Sequence, residues 1–447
     1  MTQQANPEHL SEFIDPTDAT AIRHCVETEH PADAAALLDT LPPISSRNYL
    51  LEAPEPKQAE IFGYLRPEVQ VAIARALDRR ALTKIMTQMS PDDRADLFNR
   101  LAPEQQNALL PGIAHAARED IRRLASHLEG TAGALMTSDY ATLAPGLTAA
   151  EALNVLRHEA PDKETIYRAY VVDEHRRLIG AVRLRDLILA AAETKIADLM
   201  ESHPPCATLT EDQEEVAHKI GRYDILALPV VDDEGRLVGI ITHDDALDAL
   251  EEEVTEDFHK IGTVGKLTQS VREASIGLLY RKRVVWLALL VFGNLFSGAG
   301  IAYFEDTISA YVTLVFFLPL LIGSSGNAGA QSATLMVRAL ATGDVRLKDW
   351  GKLLSREVLV AFGLGATMAL AVSLIGIVRG GPEIALVVAL TMVIVVIAGS
   401  LIGMSLPFIL HSFKLDPATA SAPLVTTIAD ALGVVIYFSI ATAFLLR

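Results

Sequence analysis

PATASAPLVTTIADALGVVIYFSIATAFLL, residues 417–446, runs for thirty residues with a single charge, Asp430. About 20 apolar residues are enough to cross a bilayer as a helix, and Asp430 falls near the middle of this run. An ionised carboxylate at that depth costs roughly 2.5 kcal/mol or more unless it lines water or meets a cation. The stretch therefore predicts a membrane fold and an ion site together.

Four further apolar segments precede it, at about 284–304, 308–337, 358–378 and 384–410. With 417–446 they predict an all-α, five-helix transmembrane domain over 281–447, seated in a lipid bilayer. Arg281, Lys282 and Arg283 precede the first segment, and five bases lie between 338 and 356. The loops at 305–307 and 379–383 together hold only Arg379. Basic loops stay on the cytoplasmic side, so the chain is expected in the cell (inner) membrane, N-terminus inside and C-terminus outside. Five is an odd number, and a pore on a two-fold axis then requires a homodimer.

The second segment contains Pro319 and runs into GSSGNAGAQS, residues 323–332. Gly and Ser suit close helix packing. Asn327 and Gln331, four apart on one face, favour a polar lining, which at membrane depth must meet protein or water. Backbone loosened near Gly323 and Gly326 would turn carbonyls toward a hydrated cation, with Asp430 supplying the charge.

The first 280 residues are of a different kind. They carry 48 acids and 27 bases, a net charge of −21, against +3 for the remainder. So acidic a surface repels phosphates, and no nucleic-acid partner is expected. Cys25 and Cys206 are the only cysteines and lack metal-ligand spacing, so neither a disulfide nor a zinc site is expected. The N-terminus lacks the basic and apolar regions of a signal peptide. No phosphate loop, zinc-protease motif or nucleophile elbow occurs, and an enzyme is not expected.

Two internal repeats organise this part. Offset by 36, Ala59-Glu60, Phe62, Leu65 and Pro67-Glu68 align with Ala95-Asp96, Phe98, Leu101 and Pro103-Glu104, predicting an all-α helical solenoid over 1–130. Offset by 59, Val171-Val172-Asp173, Arg177-Leu178, Gly180 and Asp186 align with Val230-Val231-Asp232, Arg236-Leu237, Gly239 and Asp245. Each copy reads as strand, turn, strand, helix. Residues 131–250 thus resemble a tandem cystathionine-β-synthase-type (CBS) pair, an α/β fold. The resemblance implies binding of an adenine nucleotide such as ATP, with Asp186 and Thr242 as candidate ligands. Asp186 and Asp245 as plain helix caps is the alternative, and Arg168 follows Tyr167 where an aromatic would stack on adenine.

Between Asp244 and Asp257 eight of fourteen residues are acidic. Like charges four apart destabilise an isolated helix by a few tenths of a kcal/mol each. A solvated face is the ordinary meaning of such a run, but a hard divalent ion with oxygen ligands would relieve the repulsion and act as a switch.

Solenoid, CBS pair, acidic connecting helix over 251–280 and five membrane helices, in that order, resemble the MgtE family of magnesium channels. The closest matches are GNAGAQS at 326–332, DPAT at 416–419 and TTIADALG at 426–433. The resemblance implies a homodimer passing Mg²⁺ passively, with Asp430 holding a hydrated ion near Gly323, Gly326 and Thr426. It also implies closure by cytosolic Mg²⁺ at Glu60, Asp92 and Asp96, then Asp212, Glu214, Asp224 and Asp245, and at Glu253, Glu256, Asp257 and Asp416. A proton- or sodium-coupled exporter and a membrane-anchored CBS sensor are the competing readings.

Overall fold

In the computed structural model, which describes residues 15, 17–265, 267 and 274–446, the 36-residue repeat becomes a stack of short helices. Pro31, Pro43, Pro67, Pro91 and Pro103 each open one. Proline suits that position because its missing N–H would have no helical partner there. Helix Glu55–Tyr64 corresponds to Pro91–Arg100, and Phe62 and Phe98 are both buried. The correspondence extends to polar anchors that the alignment does not contain. Gln70 Nε2 donates to Phe62 O at 2.9 Å, and Gln106 Nε2 donates to Phe98 O at 2.8 Å. Gln58 and Arg94 likewise donate to Ala53 O and Met89 O. Carbonyls stranded at the helix ends are thereby satisfied.

The 59-residue repeat becomes two small sheets. Strands β1 (Tyr140–Leu143), β2 (Thr165–Val172), β3 (Leu178–Arg183) and β4 (Glu201–Ser202) lie in that order, β1 parallel to β2 and the rest antiparallel. Strands β5 (Ala207–Thr208), β6 (Ala227–Val231) and β7 (Leu237–Thr242) repeat the pattern. The matched glycines and methionines lock the copies together. A Cβ on Gly180 would lie 2.5 Å from Met200 Sδ, and one on Gly239 the same distance from Met136 Sδ. Solenoid and CBS pair belong to one compact unit, Met1–Glu252.

The second unit, Glu253–Arg447, is helical and apolar. Its helices are Ile276–Tyr303, the short Glu305–Ala310, Thr313–Ala341, Trp350–Ser412 and Ala422–Leu445. The longest is two helices joined at Gly381, whose φ of 80° and ψ of 178° only glycine holds without strain, and Pro382 follows it. Helix Thr313–Ala341 packs on the segment after Gly381 through small residues. Gly329 sits so close to Gly399 that an added Cβ would be 2.7 Å from its carbonyl oxygen, and Ser325 Oγ donates to Val395 O at 2.7 Å.

Three sequence expectations change. The acidic helix is one element, His243–Ile261, which begins inside the span assigned to the CBS pair. Arg281 to Arg283 lie within the first apolar helix rather than before it. Helix Thr313–Ala341 is unbroken through Pro319 and Gly323 to Gly326, so their backbone is not loosened. Small side chains there admit a neighbouring helix, and the ladder remains helical.

Candidate ion pathway and acidic cluster

Helices Thr313–Ala341 and Ala422–Leu445 run antiparallel in a register set by three contacts. A Cβ on Gly326 would lie 2.8 Å from Thr426 Cγ2, Gly433 faces Ile322, and Tyr437 Oη donates to Leu314 O at 3.0 Å. This register brings Asp430 level with Gly323. Asp430 is half-buried, and its Oδ1 is shielded from solvent without any hydrogen-bond partner. Ser325, Gly329 and Ser332 face inward on the first helix, while Gly323, Asn327 and Gln331 form an exposed stripe. An open glycine, an amide pair and a carboxylate oxygen with spare lone pairs thus stand at neighbouring heights, a set suited to a hydrated cation.

A second group of charges lies in the same unit. Asp416 caps the turn Pro417–Thr419, accepting from Ala418 N at 2.8 Å. Lys260 Nζ donates to Asp416 Oδ2 and lies 2.6 Å from Glu256 Oε1. Desolvation lowers the Lys260 pKa, but its hydrogen bonds to Asp416 and Glu256 outweigh this and hold it above the usual lysine range. Asp257, desolvated and then repelled by Asp416, is pushed up to about 6.

In the first unit the acids gather where helix Pro91–Arg100 packs on the CBS pair, with Ala95 buried against Leu124, Ala132 and Met136. Desolvation and then the charges of Asp93 and Glu164 raise Asp92, while desolvation and then Asp92 raise Asp245. Asp93, desolvated against an opposing hydrogen bond from Ser90 and repelled by Asp245, is pushed up to about 6. Desolvation also raises Asp96, against the pull of Arg100, and Glu164. Asp92 Oδ1 is buried without a hydrogen-bond partner. Among the described residues no three Asp, Glu, His or Cys side chains converge as a finished ligand set. An all-oxygen cluster of this looser kind fits Mg²⁺ that keeps most of its waters.

The structure thus brings Asp92 and Asp245 together and adds Asp93, Glu164 and Asp244, while Asp96 adjoins Asp93 and pairs with Arg100 at 3.2 Å. It does not bring in Glu60, which is exposed on helix Glu55–Tyr64. Asp212 caps helix Gln213–Tyr223 by accepting from Glu214 N, Glu214 lies 3.7 Å from His218, and Asp224 closes the helix in the left-handed region. The Asp92-Asp93 doublet was a readable signal for Asp93. Glu164, one residue before β2, belongs to no pattern.

The nucleotide residues also rearrange. Thr242 Oγ1 donates to Asp245 Oδ2, so that pair is mutually satisfied and sits with the acids. Asp186 pairs with Arg183 Nε at 2.8 Å, and no side chain caps its helix, so the cap reading does not hold. An open cleft of about 780 Å³ is lined instead by Tyr167, Arg168, Arg183, Arg185, Tyr223 and Asp224, with apolar Ile188 and Ile225. Arg168 is turned to Glu201 at 2.5 Å, and Tyr167 and Tyr223 are both exposed aromatics of the cleft.

Comparison with known proteins agrees with this geometry. Residues 318–440 match the MgtE family described as a divalent cation transporter, 29–130 its intracellular N domain, and 132–193 and 196–252 CBS domains. The chain is 40% identical to the magnesium transporter MgtE of Thermus thermophilus over 437 residues, 97% of each chain. It is 34% identical to that of Bacillus subtilis, over 95% of this chain and 94% of the relative. The cytosolic domain of an Mg²⁺ channel MgtE, solved with ATP, aligns with a TM-score of 0.50 at 39% identity, covering 54% of this chain and 99% of that one. The chain belongs to the MgtE family of magnesium transporters.

Proposed function

We propose that the protein is a Mg²⁺-selective channel that carries magnesium passively into the cell as a homodimer. The observation that carries this is the unpartnered Asp430 Oδ1, level with Gly323 on helices whose Gly323–Gln331 stripe is open in the protomer. A two-fold axis beside that stripe would set two such carboxylates face to face, matching the +2 charge of an ion that sheds water reluctantly. Apart from Asp430 the apolar segments hold no acid or base suited to a proton relay, which favours a channel over a coupled exporter. The five crossings, with the N-terminus cytoplasmic and the C-terminus outside, follow from the basic loops.

Gating belongs to the same reading. Cytosolic Mg²⁺ gathers the repelling acids of the first unit, Asp92, Asp93 and Asp245 with Glu164, and separately those at Glu253, Glu256, Asp257 and Asp416. Holding them together closes the channel, and loss of the ion weakens that hold. The test is inside-out patch recording of wild type and Asp430→Ala while cytoplasmic Mg²⁺ is varied. Currents that survive Asp430→Ala, or that need a proton gradient, overturn the channel reading.

A second reading, nucleotide binding in the CBS pair, is favoured by the cleft lined by Tyr167 and the arginines. The related cytosolic domain was solved with ATP. Titration calorimetry of ATP against the full chain and Tyr167→Ala decides it, because stacking predicts weaker binding in the variant.

A further inference from the structure

The acidic helix His243–Ile261 ends on a cation. Lys260 Nζ lies 2.6 Å from Glu256 Oε1, one turn earlier, and donates as well to Asp416 Oδ2. One ammonium is therefore shared by carboxylates 160 residues apart in sequence, and Asp257 adds its charge to the same spot. Ile261, the next residue, packs with Val337, Leu406, Leu410, Ala418 and Ala420, where two membrane helices end and the turn toward the Asp430 helix begins. Without the ammonium, Glu256 and Asp416 lose the cation that they share.

We propose that Lys260 is a resident counter-cation that latches the end of the acidic helix to the Asp416 turn when Mg²⁺ is scarce, and that Mg²⁺ competes with it for the same carboxylates. Lys260 acts as a positioning residue, since it holds the turn that leads into the Asp430 helix and touches no permeating ion. An ammonium neutralises one charge and leaves the cluster net negative, so the latch is weak and a divalent ion still finds a site. Without Lys260 the helix end is loose at low Mg²⁺, and the vacated oxygens take Mg²⁺ at lower concentration. The inference rests on the gating reading above but has its own readout.

The experiment is hydrogen–deuterium exchange of residues 253–261 in the full-length protein in detergent, in chelator and across a Mg²⁺ titration. In chelator, Lys260→Met should exchange about threefold faster than wild type, the scale of a half-exposed ion pair. Lys260→Arg should behave as wild type. The half-saturating Mg²⁺ concentration for protection should fall in Lys260→Met, a shift that mere loosening of the fold would not produce. Should Lys260→Met not fold, carbodiimide coupling of wild-type Lys260 to Asp416, read by mass spectrometry and suppressed by Mg²⁺, carries the test. Equal exchange of wild type and Lys260→Met in chelator overturns the latch, as does coupling that is absent or indifferent to Mg²⁺. Loss of current in Asp430→Ala bears on the channel alone and leaves this result untouched.

Discussion

Asp92 and Asp245 stand in a crowd of carboxylates, raised by desolvation and then by their acidic neighbours, whereas Asp430 stands alone among apolar residues with one oxygen unpartnered. Both arrangements store unfavourable charge that a cation relieves, but they store it differently. In the first unit lost hydration comes first and mutual repulsion adds to it, and that added part grows or fades with the distance between elements, as a sensor requires. In the second the cost is lost hydration at one fixed height of a packed helix, which suits a site on an ion's path.

The largest expected effect breaks the second half of that contrast. Asp430→Ala should lower Mg²⁺ flux into proteoliposomes at least about tenfold, since a 1.4 kcal/mol change in site energy already alters occupancy by that factor. Asp430→Glu, which keeps the charge and lengthens the side chain, should retain more flux than Asp430→Asn. If Asn and Glu are equal, charge is not what matters there.

The rigidity of that helix packing is tested next. A side chain at Gly403 would meet the Gly329 backbone directly. Gly403→Val should destabilise the membrane unit by about 1–3 kcal/mol or more, read as a lower melting temperature in detergent. Comparable stacking energies, about 1–3 kcal/mol, should be lost from nucleotide binding in Tyr167→Ala.

The crowd of acids yields smaller, conditional effects. A carboxyl whose folded pKa lies above its unfolded value binds more protons when folded, so it costs stability at high pH and the cost is removed as pH falls. Asp93 loses its charge as pH falls through about 6, and the Asp92–Asp245 pair is also shifted upward. Without Mg²⁺, the melting temperature of the full chain's cytoplasmic transition should therefore rise from pH 8 to pH 5. Added Mg²⁺ should raise it at pH 8 and do little at pH 5. Asp92→Asn with Asp245→Asn should melt higher than wild type in chelator at pH 8 and lose most of the response to Mg²⁺. A wild-type transition indifferent to pH and Mg²⁺ alike would erase the distinction between sensor and pathway.

Much of this was legible along the chain because it is local. The 59-residue offset predicted β3 and β7 at equivalent positions, and the 36-residue offset predicted equivalent helices at Glu55–Tyr64 and Pro91–Arg100. The apolar segments and Asp430 follow from hydropathy alone. Glu164 and Lys260 were not legible, since each draws its meaning from a partner far away in sequence. Gly323 and Gly326 misled for a related reason. A run of small residues serves an unwound backbone and a close helix crossing equally, and only the neighbouring helix, with Thr426 against Gly326 and Gly399 against Gly329, distinguishes them.

The sequence by itself therefore determined the helices and strands, their repeats, the membrane half and the isolated Asp430, because periodicity and hydropathy act over a few neighbouring residues. Tertiary structure alone decided which acids confront one another and which are spent on caps and turns, as Asp212 and Asp224 are. It likewise decided that Thr242 answers Asp245 rather than the cleft, and that a lysine sits between Glu256 and Asp416. Charge interactions depend on distance in space, and the chain must fold before those distances exist.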